Sequence, residues 1–123
     1  RDRYDISNPH KPKLTGQVWM GGLLGKAPIV NGVKITGGPQ MYQLSLDGKR
    51  MYVTTSLFST WDNQFYPEIR TQGGAMIMID CDVENGGMKI NKDFIVDFGK
   101  EPNGPSSHES RYPGGDCTSD IWL

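Results

Sequence analysis

Two strand-like runs only a turn apart constrain this chain most. Met41-Tyr42-Gln43-Leu44-Ser45-Leu46 is followed by Asp47-Gly48 and then by Lys49-Arg50-Met51-Tyr52-Val53-Thr54-Thr55-Ser56. Apolar residues dominate both arms, and β-branched or aromatic residues are frequent in the second, which suits a pleated, half-buried surface. This pattern predicts a β-hairpin. A second pair follows, with Gly74-Ala75-Met76-Ile77-Met78-Ile79-Asp80 running to a turn at Asn85-Gly86-Gly87. Met88-Lys89-Ile90-Asn91 then leads into Phe94-Ile95-Val96-Asp97-Phe98.

The rest of the chain is punctuated in the same way. Residues 4–20 read as strand, Pro-rich turn and strand, and residues 21–38 as a long Gly-rich loop carrying a small hairpin at Asn31-Gly32, a dipeptide suited to positive φ. Residues 61–69 are aromatic-rich and contain Pro67, which predicts an ordered excursion between the two hairpins. No long segment repeats apolar residues at i, i+3, i+4 and i+7, so an all-β fold is expected. Periodicity alone leaves sandwich, barrel and propeller open. Leu44-Ser45-Leu46-Asp47-Gly48-Lys49-Arg50-Met51-Tyr52-Val53 looks like the inner hairpin of a propeller blade.

Composition narrows the function classes. Thirteen basic residues against 14 acidic ones, interspersed, provide no basic stripe for a phosphate backbone, so nucleic acid is not an expected partner. No apolar run approaches the roughly 20 residues of a membrane-spanning helix, and Arg1-Asp2-Arg3-Tyr4-Asp5 does not open a signal peptide. The first residue is not Met, and an incomplete sequence is the expected reason. Cys81 and Cys117 form no spaced framework, and both are expected to be reduced thiols.

Several blocks resemble the selenium-binding protein (methanethiol oxidase) family. They are Gly37-Gly38-Pro39-Gln40-Met41 with the hairpin phrase, Thr54-Thr55-Ser56-Leu57 with Trp61-Asp62 and Gln64-Phe65-Tyr66-Pro67, and Asp97-Phe98-Gly99-Lys100-Glu101-Pro102. The most specific is the ending, His108-Glu109, Arg111-Tyr112-Pro113-Gly114-Gly115-Asp116-Cys117 and Ser119-Asp120-Ile121-Trp122. The resemblance covers nearly the whole chain, although residues 21–36 form a shorter stretch than in vertebrate members. It implies the C-terminal blades of a seven-bladed β-propeller, present as a fragment: residues 1–123 would supply about two blades and the closing segment.

The resemblance further implies copper-dependent oxidation of a small thiol, methanethiol, by oxygen and water to formaldehyde, hydrogen sulfide and hydrogen peroxide. That activity belongs to the full-length protein, and this chain alone is expected to be inactive. The alternative is a non-enzymatic selenium-binding or scaffold propeller in intracellular protein transport. A cytosolic location is implied, with the nucleus or a peripheral membrane association as further sites. The other expected partners are the remaining blades of the parent propeller, together with peripheral membrane or protein contacts. The family thiol implicated in selenium attachment falls upstream of this chain and does not transfer to Cys81 or Cys117.

His108 is the candidate metal ligand, because neutral imidazole binds copper well. Its plain alternative is a histidine hydrogen-bonded within a loop. A strand over residues 106–112 would put His108 and Tyr112 on one face and Glu109 and Arg111 on the other. That arrangement would give a metal face and a paired face; Glu109, Arg111 and Tyr112 are the candidates for supporting the ligand, or Glu109 and Arg111 simply pair to fix the closing segment. His10, among turn residues, reads as a solvated loop residue. Cys117, flanked by carboxylates, reads as structural, since like charge disfavours the thiolate. Asp80, Asp82 and Glu84 lack the spacing of a calcium loop and read as a solvated turn. Trp19, Trp61 and Trp122 read as blade packing.

Overall fold

The structure, a computed structural model, describes residues 1–26 and 28–108. Asp47 organises the central turn, where its Oδ1 accepts the Lys49 N–H at 3.0 Å and the Ser45 hydroxyl at 2.5 Å, while Gly48 takes φ 70°. Strands β5 (Tyr42–Leu44) and β6 (Arg50–Thr54) pair antiparallel across it. The sheet continues through β7 (Ala75–Cys81) to β8 (Met88–Asp97), in the order β5-β6-β7-β8 with each neighbour antiparallel. A four-stranded antiparallel meander of this kind is the arrangement of a propeller blade.

Register explains which side chains form the core. Val53, Ile77 and Ile95 share a row, as do Met51, Ile79 and Ile90. Val53, Ile77 and Ile79 are fully buried, packed with Val18, Met20, Val30 and Ile35 from the N-terminal third of the chain. Burying each such side chain contributes about 1.5–3 kcal/mol. The opposite face carries Tyr52 and Met78 in one row and Thr54, Met76 and Val96 in the next. Tyr52 meets Phe94 edge to face at 5.5 Å, yet Tyr52, Met76 and Met78 remain half-buried and Val96 exposed.

The N-terminal third lies over the core face. Strands β1 (Asp2–Asp5) and β2 (Lys13–Gln17) form the expected hairpin, tied to the β7–β8 turn by the Arg3 guanidinium, which donates to the carbonyls of Asp82 and Gly87. Gly16 is required at this approach, since a Cβ there would stand 2.8 Å from the Met88 side chain and 3.1 Å from Gly87 backbone. Strands β3 (Ile29–Val30) and β4 (Val33–Lys34) make the small hairpin, with Asn31 at φ 47° and Gly32 at φ 79° as its turn requires.

Two features differ from expectation. The aromatic excursion is helical: α1 (Ser59–Phe65) and α2 (Ile69–Gln72) are separated by Tyr66-Pro67. Asp62 holds this turn from a buried position, its Oδ2 accepting the Leu57 N–H at 2.7 Å. Second, β8 is one strand with a bulge. Pairing steps from Ile77↔Ile95 to Ile79↔Ile90, so β7 advances two residues while β8 advances five. The bulge at residues 91–93 is held by Asn91, which donates to the Asp80 carboxylate at 3.2 Å and accepts the Asp93 N–H at 3.0 Å. Trp19 and Trp61 are roughly half exposed within this chain, Trp19 lying 4.1 Å beneath the Lys26 ammonium.

Candidate functional site

The site is built where the chain leaves β8. Asp97 caps a single 3-10 turn, Phe98–Lys100, by accepting the Gly99 N–H at 3.1 Å. The following residues pass beside the entry to β7, and Pro105 O accepts the Gly74 N–H at 3.1 Å. Glycines permit this close passage, since a Cβ on Gly73 would lie 2.8 Å from Gly99 backbone and one on Gly99 would lie 2.0 Å from Gln72 O.

Hydroxyl groups then replace a backbone ladder. The Ser107 N–H donates to Ser56 Oγ at 2.5 Å, and Ser107 Oγ donates to Ala75 O at 3.0 Å. Thr55 Oγ1 accepts the Ala75 N–H at 2.9 Å. Thr54 Oγ1 donates to His108 O at 2.6 Å. Thr54, Thr55, Ser56 and Ser107 are all buried, whereas His108 itself is exposed. Residues 106–108 are irregular and form no strand. Pro105 has no N–H to donate, and side-chain hydroxyls satisfy the Ser107 N–H and the His108 carbonyl. Glu109, Arg111, Tyr112, Cys117 and Trp122 lie outside the described residues.

Copper can be tested against this donor set. His108 offers one exposed imidazole on a backbone fixed at both sides, which suits a single ligand. Among the described residues, no group of three His, Cys, Asp or Glu side chains could hold a metal ion. The described residues thus fit one ligand of a copper site and do not complete it. His10 is exposed and sits in a turn whose Asn8 side chain accepts its N–H at 3.1 Å.

The remaining candidates are occupied by structure. Asp82 accepts the N–H groups of Glu84 and Asn85 and the Asn85 amide, which hold its carboxyl below the usual range, Asn85 contributing most. Its carboxylate therefore closes the β7–β8 turn. Cys81 is buried and unbridged, and burial pushes its thiol up, with the Asp80 charge adding to the effect and Arg3 opposing it. That environment disfavours the thiolate needed for nucleophilic or metal chemistry. Tyr66, beside buried Asp62, is also raised, first by its own burial and then by the Asp62 charge. Among the described residues, no helix is long and apolar enough to cross a membrane.

Residue patterning did not single out the hydroxyls that fix His108. Thr54, Ser56 and Ser107 are ordinary residues, and Ser56 and Ser107 stand 51 positions apart. The available signal was the run Thr54-Thr55-Ser56 at the end of an apolar strand, where hydroxyls need buried partners.

Comparison with known proteins identifies the lineage. The family model for the 56kDa selenium binding protein (SBP56) matches residues 2–123. The chain is 55% identical to a Rattus norvegicus protein named methanethiol oxidase, over 98% of this chain and 29% of that protein. It is 56% identical to selenium-binding protein 1 of Arabidopsis thaliana, over 98% of this chain and 28% of that protein. A crystal structure of a hypothetical selenium-binding protein from Sulfolobus tokodaii superposes with a TM-score of 0.79 at 48% identity, covering 99% of this chain and 25% of that one. The chain thus spans less than a third of the length of these relatives, and its antiparallel sheets fit a portion of a β-propeller. It belongs to the 56kDa selenium binding protein family.

Proposed function

We propose that this chain is the part of a copper-dependent methanethiol oxidase that supplies one metal-binding imidazole, His108. The observation that carries this reading is the 55% identity with a protein named methanethiol oxidase, extending over 98% of the chain. The reaction consumes methanethiol, oxygen and water and releases formaldehyde, hydrogen sulfide and hydrogen peroxide. Copper, when bound, supplies affinity for a soft thiol and redox chemistry with oxygen. This chain's own contribution is positional: buried hydroxyls hold the backbone of His108 while its side chain stays exposed. The other ligands would come from further blades of a seven-bladed parent, to which residues 1–123 contribute about two blades and a closing segment. Glu109, Arg111 and Tyr112 would lie beside the ligand, and the whole protein would work in the cytosol.

The competing reading is a selenium-binding or scaffold protein, favoured by the names of relatives such as the Arabidopsis thaliana protein. Buried, unbridged Cys81 is poorly suited to selenium attachment, which this reading would place upstream of the chain. The deciding experiment supplies methanethiol and oxygen to the complete protein and measures all three products. Equimolar formaldehyde, hydrogen sulfide and hydrogen peroxide support the oxidase. Absence of all three from copper-loaded protein rejects it.

A further inference from the structure

We propose that Thr54, Ser56 and Ser107 form a clamp that sets the position of His108, so that Thr54 and Ser107 are positioning residues for the ligand. The metal consequence rests on the copper reading above; the clamp itself does not. Three buried hydroxyls converge at the end of β6, with Thr54 and Ser107 each 3% exposed and Ser56 fully buried. Thr54 Oγ1 donates to the carbonyl of His108, and Ser56 Oγ accepts the N–H of Ser107. The two serine hydroxyls also stand 3.3 Å apart, and Ser107 Oγ reaches Ala75 O on β7.

The fixed atoms bracket the His108 Cα. With the Ser107 N–H and the His108 carbonyl both held, the remaining freedom of His108 lies chiefly in its side-chain torsions. A metal site needs each ligand held within about 0.5 Å and 10–20°, and that is what two buried attachments on adjacent residues supply. Thr54 Oγ1 also has Met41 O within 3.4 Å, and its much shorter contact, 2.6 Å, is the one to His108, 54 positions away. Gly74 belongs to the same device, because a Cβ there would stand 2.5 Å from Ser107 Oγ and 2.6 Å from Ser56 Oγ.

The test compares Thr54→Val, Thr54→Ser and Ser107→Ala in the complete protein. Valine keeps the shape of threonine and removes the hydroxyl; serine keeps the hydroxyl, including its acceptance of the Met41 N–H. In metal-free protein, amide exchange at residues 106–108 and the His108 imidazole NMR line report the clamp directly. Thr54→Val and Ser107→Ala should raise exchange there about tenfold or more and sharpen the imidazole line, and Thr54→Ser should restore both. Copper titration should show affinity falling about 10–100-fold in Thr54→Val and recovering in Thr54→Ser, the usual effect of losing a group that orients a metal ligand. Unchanged exchange and an unchanged imidazole line in Thr54→Val overturn the clamp. A loosened His108 with unchanged copper affinity overturns its positioning role when His108→Ala loses copper. If His108→Ala retains copper, the copper reading is what has failed, and the exchange data decide the clamp alone.

Discussion

Gly74→Ala should loosen the attachment of residues 105–108 beside the entry to β7. Gly74 is not in the left-handed region, so the lesion is steric. The added Cβ would meet Ser107 Oγ at 2.5 Å, Ser56 Oγ at 2.6 Å and Ser107 N at 2.7 Å. One of these is backbone, so rotating a side chain cannot relieve the clash. Overpacking of this kind costs about 1–3 kcal/mol. The movement that relieves it also weakens the Ser107 N–H to Ser56 and Ser107 Oγ to Ala75 bonds, each worth about 1 kcal/mol. Alanine recovers about 0.4–1 kcal/mol by restricting the unfolded chain, leaving a net local loss of about 2 kcal/mol. Hydrogen exchange of peptides covering residues 103–108 and 75–77 measures that opening free energy. A double-mutant cycle with Ser107→Ala should be non-additive, because both changes damage one network. A loss below about 0.5 kcal/mol, or strict additivity, would refute the assigned contacts.

Three further outcomes are expected. Thiol counting on freshly denatured protein should find Cys81 and Cys117 free, and Cys81 should alkylate slowly while folded, since burial both hides it and raises its pKa; a mass corresponding to an 81–117 bridge would contradict this. The isolated chain should self-associate through strand edges and the apolar face of Tyr52, Met76, Met78, Phe94 and Val96; light scattering showing a monomer with cooperative unfolding would overturn that. Asp82 has a depressed folded pKa, so its stabilisation of the β7–β8 turn is complete above the unfolded carboxylate value and disappears as pH falls through the folded one. Amide protection at Glu84 and Asn85, taken relative to the intrinsic exchange rate at each pH, should fall on acidification in wild type and stay flat in Asp82→Asn; identical profiles would reject the role.

The hairpins were legible because their punctuation is chemically specific. Asn31-Gly32 and Asp47-Gly48 supply positive φ and turn acceptors, and the apolar rows beside them gave β5 to β8 their faces. The helices were not legible: α1 has seven residues and α2 four, too short to display a helical period, and Asp62 rather than an apolar stripe fixes α1. The β8 bulge depends on Asn91 finding Asp80 on the neighbouring strand, a tertiary event absent from local pattern. His108 was picked out by family resemblance. Its attachment was hidden because it depends on Thr54, Ser56 and Ser107 meeting across two distant segments.

Copper content per chain in the complete protein, measured for wild type beside His108→Ala with melting temperature recorded for both, decides whether His108 is a copper ligand. Removing one imidazole ligand adds no charge and leaves the His108 carbonyl available to Thr54. Copper and methanethiol turnover should fall together while the melting temperature stays near wild type. Full copper occupancy with full turnover in His108→Ala would contradict that role.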